Sequence, residues 1–164
     1  MTLIIFATSL LIAYIVAFCI RHETIPDSLS ASVFYMPKTC IWAWTIVIAA
    51  VTFALAPILI SSVSDSTTFL AFLAGAGLLF VAGSPLEKDK SELSYKVHCG
   101  GAIVCAIASQ ILIGLNMPLL LLCWAPWVLY YAISELREVV WRRSVFFAEM
   151  TCFFNIILYC FLNG

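Results

Sequence analysis

The stretch LIIFATSLLIAYIVAFCI, Leu3 to Ile20, decides the fold class of this chain. It contains 18 residues without a charge, and its few polar residues do not alternate with the apolar ones. A helix needs roughly 20 mainly apolar residues to cross a bilayer, whereas a membrane β-strand alternates apolar and polar residues. No positive residue precedes the run and Arg21 follows it, so we expect a retained helix rather than a cleaved signal.

The rest of the chain shares this apolar character. Of its 164 residues, 64% are hydrophobic and 10% are charged, whereas a soluble domain carries about 25% charged residues. Backbone that faces lipid must satisfy its own hydrogen bonds, which a helix does. The composition therefore predicts an all-α fold: a polytopic integral membrane helix bundle that forms a single domain over residues 1–164.

Six apolar runs are separated by short polar stretches. The predicted spans cover residues 3–20, 39–60, 68–82, 97–115, 118–133 and 145–162. All eight Lys and Arg residues lie between spans one and two, three and four, or five and six. Because positive loops stay in the cytoplasm, we expect six transmembrane helices with both termini outside. The expected location is the cell membrane, as a multi-pass protein of a bacterial inner membrane.

Charge and composition argue against several classes of site. The net charge is −1, which gives no electrostatic basis for binding nucleic acid. The seven cysteines have spacings that match no zinc or redox motif. His22 and His98 are the only histidines, whereas a catalytic zinc takes three protein ligands that are often mostly histidine. We therefore expect no metal site and no cofactor.

One polar stretch, GSPLEKDKSELSYKVHCGG from Gly83 to Gly101, holds six of the seventeen charged residues. Asp89 and Glu92 have the spacing of a capping box, which predicts that the fourth helix begins near Lys90. Glu92 and Lys96 are then expected to form an i,i+4 ion pair on its first exposed turns.

His98 and Glu149 are the candidate catalytic residues. His98 lies at the cytoplasmic end of span four, and small residues such as Ala102 and Ser109 follow it on the same helical face. Glu149 lies about five residues inside span six, where a carboxylate is costly in lipid and usually has a partner. Because both enter from the same side, we expect that they can meet as an acid/base pair. The structural alternatives are a buried histidine bonded to a carbonyl group and a carboxylate that snorkels to the interface.

Further polar residues crowd the same side of the predicted bundle. Candidate ligand-binding residues there are Ser28, Ser30, Tyr35 and Lys38. Asp27 or Ser28 is predicted to cap a short helical turn that lies at the membrane interface.

Three kinds of function are compatible with this pattern. The first is binding or modification of a lipid or another amphiphile in a cytoplasmic-side pocket, with membrane lipid as the partner. The second is a small transporter or channel component, for which only Gln110 and Asn155 extend the polar residues inward; both are also typical of hydrogen bonds between helices. The third is a non-catalytic membrane partner subunit or homo-oligomer that uses the small-residue faces of spans three and four.

Two segments carry a resemblance to a known group of proteins. SLSASVFYMPK (Ser28 to Lys38) and GSPLEKDKSELSYKVHCGGA (Gly83 to Ala102) resemble segments of the alkaline ceramidase and progestin-receptor-like superfamily and of related uncharacterised bacterial multi-span families. The resemblance implies a lipid-amide hydrolase-like bundle with a site near one leaflet. That superfamily has about seven spans, and its enzymes hold zinc with a late HxxxH pair. This sequence has no HxxxH, so no zinc site is carried over.

Overall fold

The computed structural model describes residues 1–86, 91–136 and 143–163 of the chain, and these residues form helices without a β-strand. The α-helices are α1 (Thr2–His22), α2 (Ile41–Ser61), α3 (Thr68–Gly83), α4 (Glu92–Asn116), α5 (Ala125–Leu136) and α6 (Ser144–Asn163). Three short 3₁₀ helices cover Ser30–Tyr35, Lys38–Cys40 and Pro118–Trp124. The predicted all-α class is confirmed.

Within the described residues, four segments are long and apolar enough to cross a membrane: Thr2–His22, Lys38–Ser61, Glu92–Asn116 and Ser144–Asn163. Two further apolar segments, Thr68–Gly83 and Pro118–Ser134, are shorter than the other four. The chain therefore has the composition and helix lengths of a membrane protein.

The fifth predicted span is not one continuous α-helix. It begins as the 3₁₀ helix Pro118–Trp124 and changes to α5 at Ala125. Pro126 has no N–H to donate, and its ring would clash with the carbonyl four residues before it, so an α-helix does not run through this position. Pro126 is instead accommodated in the first turn of α5, where no N–H is needed.

The start of α4 differs from the prediction by about two residues. Ser91 caps the helix, and its hydroxyl oxygen accepts a hydrogen bond from the backbone three residues later, at 3.3 Å. Among the described residues the helix begins at Glu92, and both Lys90 and the predicted cap Asp89 lie outside them. The predicted ion pair between Glu92 and Lys96 is confirmed, at 2.7 Å.

Helix α3 packs between α2 and α4 through glycines. A Cβ atom built on Gly77 would lie 2.6 Å from the carbonyl oxygen of Gly101, and one built on Gly75 would lie 3.1 Å from the Cβ of Ala56. Small residues at these positions let helix backbones approach closely. The small-residue faces of spans three and four, predicted as a surface for a partner, therefore face neighbouring helices of the same chain.

Contacts of α6 define the two ends of the bundle. At one end the backbone N–H of Phe146 donates to the carbonyl of Asp27 at 3.1 Å. At the other end the Tyr159 hydroxyl donates to the carbonyl of Ser62 at 3.2 Å. We call the first of these the loop end, because it contains the connection of residues 23–40.

Candidate functional site

The connection between α1 and α2 folds back into the bundle at the loop end. Leu29 and Val33 are buried, and the indole N–H of Trp44 donates to the carbonyl of Leu29 at 3.3 Å. The hydroxyl of Ser28 accepts a hydrogen bond from the N–H of Ala31 at 2.8 Å. Of the two predicted caps, Asp27 and Ser28, the Ser28 hydroxyl binds the backbone of this turn, and the turn is inserted among the helices. Its position at the membrane interface stays a prediction.

Glu149 holds this inserted turn from α6. One carboxylate oxygen accepts a hydrogen bond from the N–H of Leu29 at 2.5 Å, and the other accepts one from the hydroxyl of Ser30 at 3.3 Å. The acceptor thus lies at the N-terminus of the 3₁₀ helix Ser30–Tyr35, where unpaired N–H groups favour a carboxylate. The interactions explain how a carboxylate is accommodated about five residues into an apolar helix.

His98 has a different set of contacts. Its side chain is 2% exposed, its Nδ1 lies 2.7 Å from the carbonyl oxygen of Ser84, and its ring centroid lies 6.0 Å from that of Trp44. These contacts agree with the structural alternative of a buried histidine bonded to a carbonyl group. Within the described ranges, no hydrogen bond or ion pair joins His98 to Glu149, so the expected direct pair is not formed in this structure.

A cavity of about 250 Å³ lies beside Glu149, between α4 and α6. Its wall is mainly apolar, and small side chains on the two helices leave the space. Ile103 and Val145 line the cavity and are also 58% and 55% exposed, so the cavity opens to the outer surface between these helices. Other lining residues include Ser30, Trp44, Ala102, Ala106, Trp124, Ala148 and Cys152.

The size of the cavity limits what it can hold. A dry cavity of roughly 150 Å³ in another protein binds benzene. By proportion, this cavity has room for about ten carbon atoms, and a longer chain would extend past exposed Ile103 and Val145 at the open side. Among the described residues that line the cavity, Glu149 is the only one with an ionisable acidic or basic side chain other than cysteine. The cavity therefore suits an apolar chain segment next to a polar group. A wholly polar ligand would find no hydrogen-bond partners along the apolar part of the wall.

Gln110 and Asn155 form a polar cluster deeper in the bundle. Their side-chain amides lie 2.9 Å apart, and the indole N–H of Trp124 donates to the Gln110 oxygen at 2.8 Å. The Gln110 amide also lies 3.5 Å from the sulfur of Cys152. The prediction that Gln110 and Asn155 join helices by hydrogen bonds is confirmed. These groups bind each other, so they do not present a line of unpaired polar groups along the bundle.

The remaining predicted ligand-binding residues do not all meet at this cavity. Ser30 lines it and Ser28 holds the turn next to it. Tyr35 lines a different cavity, and the side chain of Lys38 is exposed at the loop end. Trp44 also lines the cavity, but the sequence does not single it out, because a tryptophan near the start of an apolar run is typical of the membrane interface.

The chemistry of the site is that of a hydrogen-bond acceptor beside an apolar cavity. In the part of the chain that the structure describes, no three His, Cys, Asp or Glu side chains are grouped so as to hold a metal ion. No family model matches the chain, and no curated protein or solved structure is significantly similar to it. Fold and site therefore define a class: a helical protein whose apolar helices are long enough to cross a membrane, with a lateral cavity beside a carboxylate.

Proposed function

We propose that this chain is a multi-pass membrane protein that binds a lipid or another amphiphile in the cavity between α4 and α6. The observation that carries the proposal is the combination of an apolar wall with the Glu149 carboxylate in a cavity of about 250 Å³. An amphiphile has the same division into an apolar chain and a polar head. Exposed Ile103 and Val145 at the rim give such a molecule a way in from the lipid side.

The head group that suits this site donates hydrogen bonds. A carboxylate offers about four acceptor positions, and Leu29 and Ser30 occupy part of them. The remaining capacity fits an amine or hydroxyl head, whereas an anionic head would be repelled by Glu149. Catalysis by a His98–Glu149 pair lacks support because the two side chains bind other partners, so binding is the activity proposed.

We also propose six crossings of the cell membrane, with both termini outside. At 1.5 Å per residue α3 is about 24 Å long, and the 3₁₀ helix Pro118–Trp124 and α5 would together reach about 32 Å if they continued in one direction. These lengths are close to the hydrocarbon core of about 30 Å, and small mismatches are absorbed by local thinning.

The distribution of basic residues supports the cytoplasmic assignment of the loop end. The described basic residues are Arg21, Lys38, Lys96 and Arg143, and each lies in or beside a segment at that end. Lys88, Lys90, Arg137 and Arg142 lie outside the described residues. A bacterial inner membrane remains the proposed location.

The other two functions have less support. A transport path would need polar groups that are available along the bundle, but Gln110 and Asn155 are bound to each other. A partner subunit would use free small-residue faces, but Gly77 and Gly101 face each other. From the resemblance to the alkaline ceramidase superfamily we keep only the expectation of lipid handling.

Binding in the cavity is tested with dodecylamine brominated on its chain, since bromine quenches indole fluorescence and Trp44 and Trp124 line the cavity. The protein in phospholipid nanodiscs is expected to show saturable quenching. Ala102→Phe fills the cavity from α4 and is expected to weaken binding at least about tenfold, which corresponds to 1.4 kcal/mol. Ala13→Phe places the same ring on an exposed position of α1 and is expected to bind normally.

Two outcomes would contradict the proposal. One is quenching that rises linearly with the probe, as for partition into the bilayer alone. The other is equal binding by the wild type, Ala102→Phe and Ala148→Phe, which fills the same cavity from α6. Thermal unfolding of each variant shows whether it is folded before its binding is compared.

A further inference from the structure

We propose that a second cavity, between the last turns of α1 and the start of α2, binds an anionic phospholipid of the bilayer. This cavity has a volume of about 260 Å³ and is separate from the one that contains Glu149. The inference shares the proposed membrane location but does not depend on ligand binding at Glu149.

The shape of this cavity follows from two helical rows that face each other. On α1 the lining residues Tyr14, Ala17 and Arg21 recur at intervals of three and four, so they share one face. Cys40 and Ala43 line the opposite side, at the start of α2. Small side chains on both rows leave the space between the helices, and the groove runs along α1 toward the loop end.

The polarity of the groove changes along its length. Its part along Ala17 and Ala43 is apolar, while Arg21 and His22 lie at the end of α1. An anionic phospholipid has the same order, with acyl chains inside the bilayer and a phosphate at its surface. Among the described residues that line this groove, Arg21 is cationic and none is Asp or Glu, whereas the first cavity is lined by Glu149. The charge of the groove therefore favours an anionic head group.

Arg21 is positioned to bind a phosphate. Its side chain is exposed, and among the residues the structure describes it makes no hydrogen bond or ion pair. A guanidinium binds phosphate through two parallel hydrogen bonds. Aromatic rings border the same end: the ring centroid of Tyr35 lies 5.5 Å from those of Phe18 and His22, as expected at a membrane surface. Anionic lipids also concentrate in the cytoplasmic leaflet, where we place the loop end.

The test compares lipids that stay bound when the protein is released from nanodiscs into native mass spectrometry. The nanodiscs contain equal amounts of phosphatidylglycerol and phosphatidylcholine. The wild type is expected to retain phosphatidylglycerol preferentially, and Arg21→Gln is expected to weaken this retention about fivefold, the effect of one basic residue near an anionic surface. Lys96→Gln removes a charge that does not line the groove and is expected to leave retention unchanged. Ala17→Phe fills the groove and is expected to lower retention without a change of charge.

Several results would overturn the proposal. Equal retention of the two lipids by the wild type would remove the head-group preference. An equal loss in Arg21→Gln and Lys96→Gln would indicate a general surface potential. Release of phosphatidylglycerol by inorganic phosphate alone would indicate an ion site without a place for acyl chains. If Arg21→Gln lowered the unfolding temperature but left lipid retention unchanged, the role of Arg21 would be to stabilise the C-terminus of α1, where a cation interacts favourably with the helix dipole.

Discussion

Gly101→Ala is expected to destabilise the protein by about 1–3 kcal/mol or more, the cost of overpacking a close contact. A Cβ atom at this position would lie 2.7 Å from the carbonyl oxygen of Gly77 and 2.9 Å from the Cβ of Phe80. Neither is the end of a flexible side chain, so α3 and α4 would have to separate. Unfolding in a fixed detergent, followed by circular dichroism, measures the difference in stability from the wild type.

Gly100→Ala is the matched control for this prediction. It makes the same change one residue earlier in α4, where a Cβ atom would meet nothing within 4 Å. Its expected effect is neutral or slightly stabilising, because alanine is the better helix former. Equal stability of the two variants would show that the close contact between Gly77 and Gly101 does not limit how α3 and α4 pack.

Glu149→Ala is expected to release the turn that starts at Leu29. The substitution removes the acceptor of the Leu29 N–H and of the Ser30 hydroxyl, and Leu29 is 3% exposed. A buried donor without a partner costs about 1–3 kcal/mol. We therefore expect a lower unfolding temperature together with faster hydrogen exchange at the Leu29 amide.

Two further substitutions test the physical reason for this effect. Glu149→Gln keeps one acceptor oxygen and is expected to restore part of the stability. Glu92→Ala removes a carboxylate whose ion pair with Lys96 is exposed, and such a pair contributes about 0.3–0.5 kcal/mol. If the Leu29 amide stayed protected in Glu149→Ala, the carboxylate would not be what holds the turn.

The long helices were predictable because apolar runs set them. The predicted spans 3–20, 39–60 and 145–162 end within two residues of the helices α1, α2 and α6. The break in the fifth segment was not predicted, although Pro126 was visible in the sequence. A proline limits a helix locally, but packing decides whether the chain kinks, begins again or changes to a 3₁₀ helix.

The site was predictable only in part. A carboxylate inside an apolar run indicates that a partner exists, and this pointed to Glu149. The sequence did not show which partner Glu149 binds. The predicted topology places the N–H of Leu29 and the side chain of His98 at the same end of the bundle as Glu149, so it does not distinguish between them. The cavity depends on how α4 and α6 pack. From the sequence alone, Ala102 and Ala148 are therefore ordinary small residues, and only the packing of α4 against α6 shows that both line the cavity.

The central claim, that an amphiphile occupies the cavity between α4 and α6, is tested most directly by photolabelling. The probe is a twelve-carbon amine with a diazirine in its chain, irradiated with the protein in nanodiscs and mapped by mass spectrometry of the peptides. Labels are expected on lining residues of both helices, such as Ala102, Ala106 and Ala148, and excess dodecylamine is expected to suppress them. Labels spread over the outer faces of the helices, unaffected by excess dodecylamine, would contradict it.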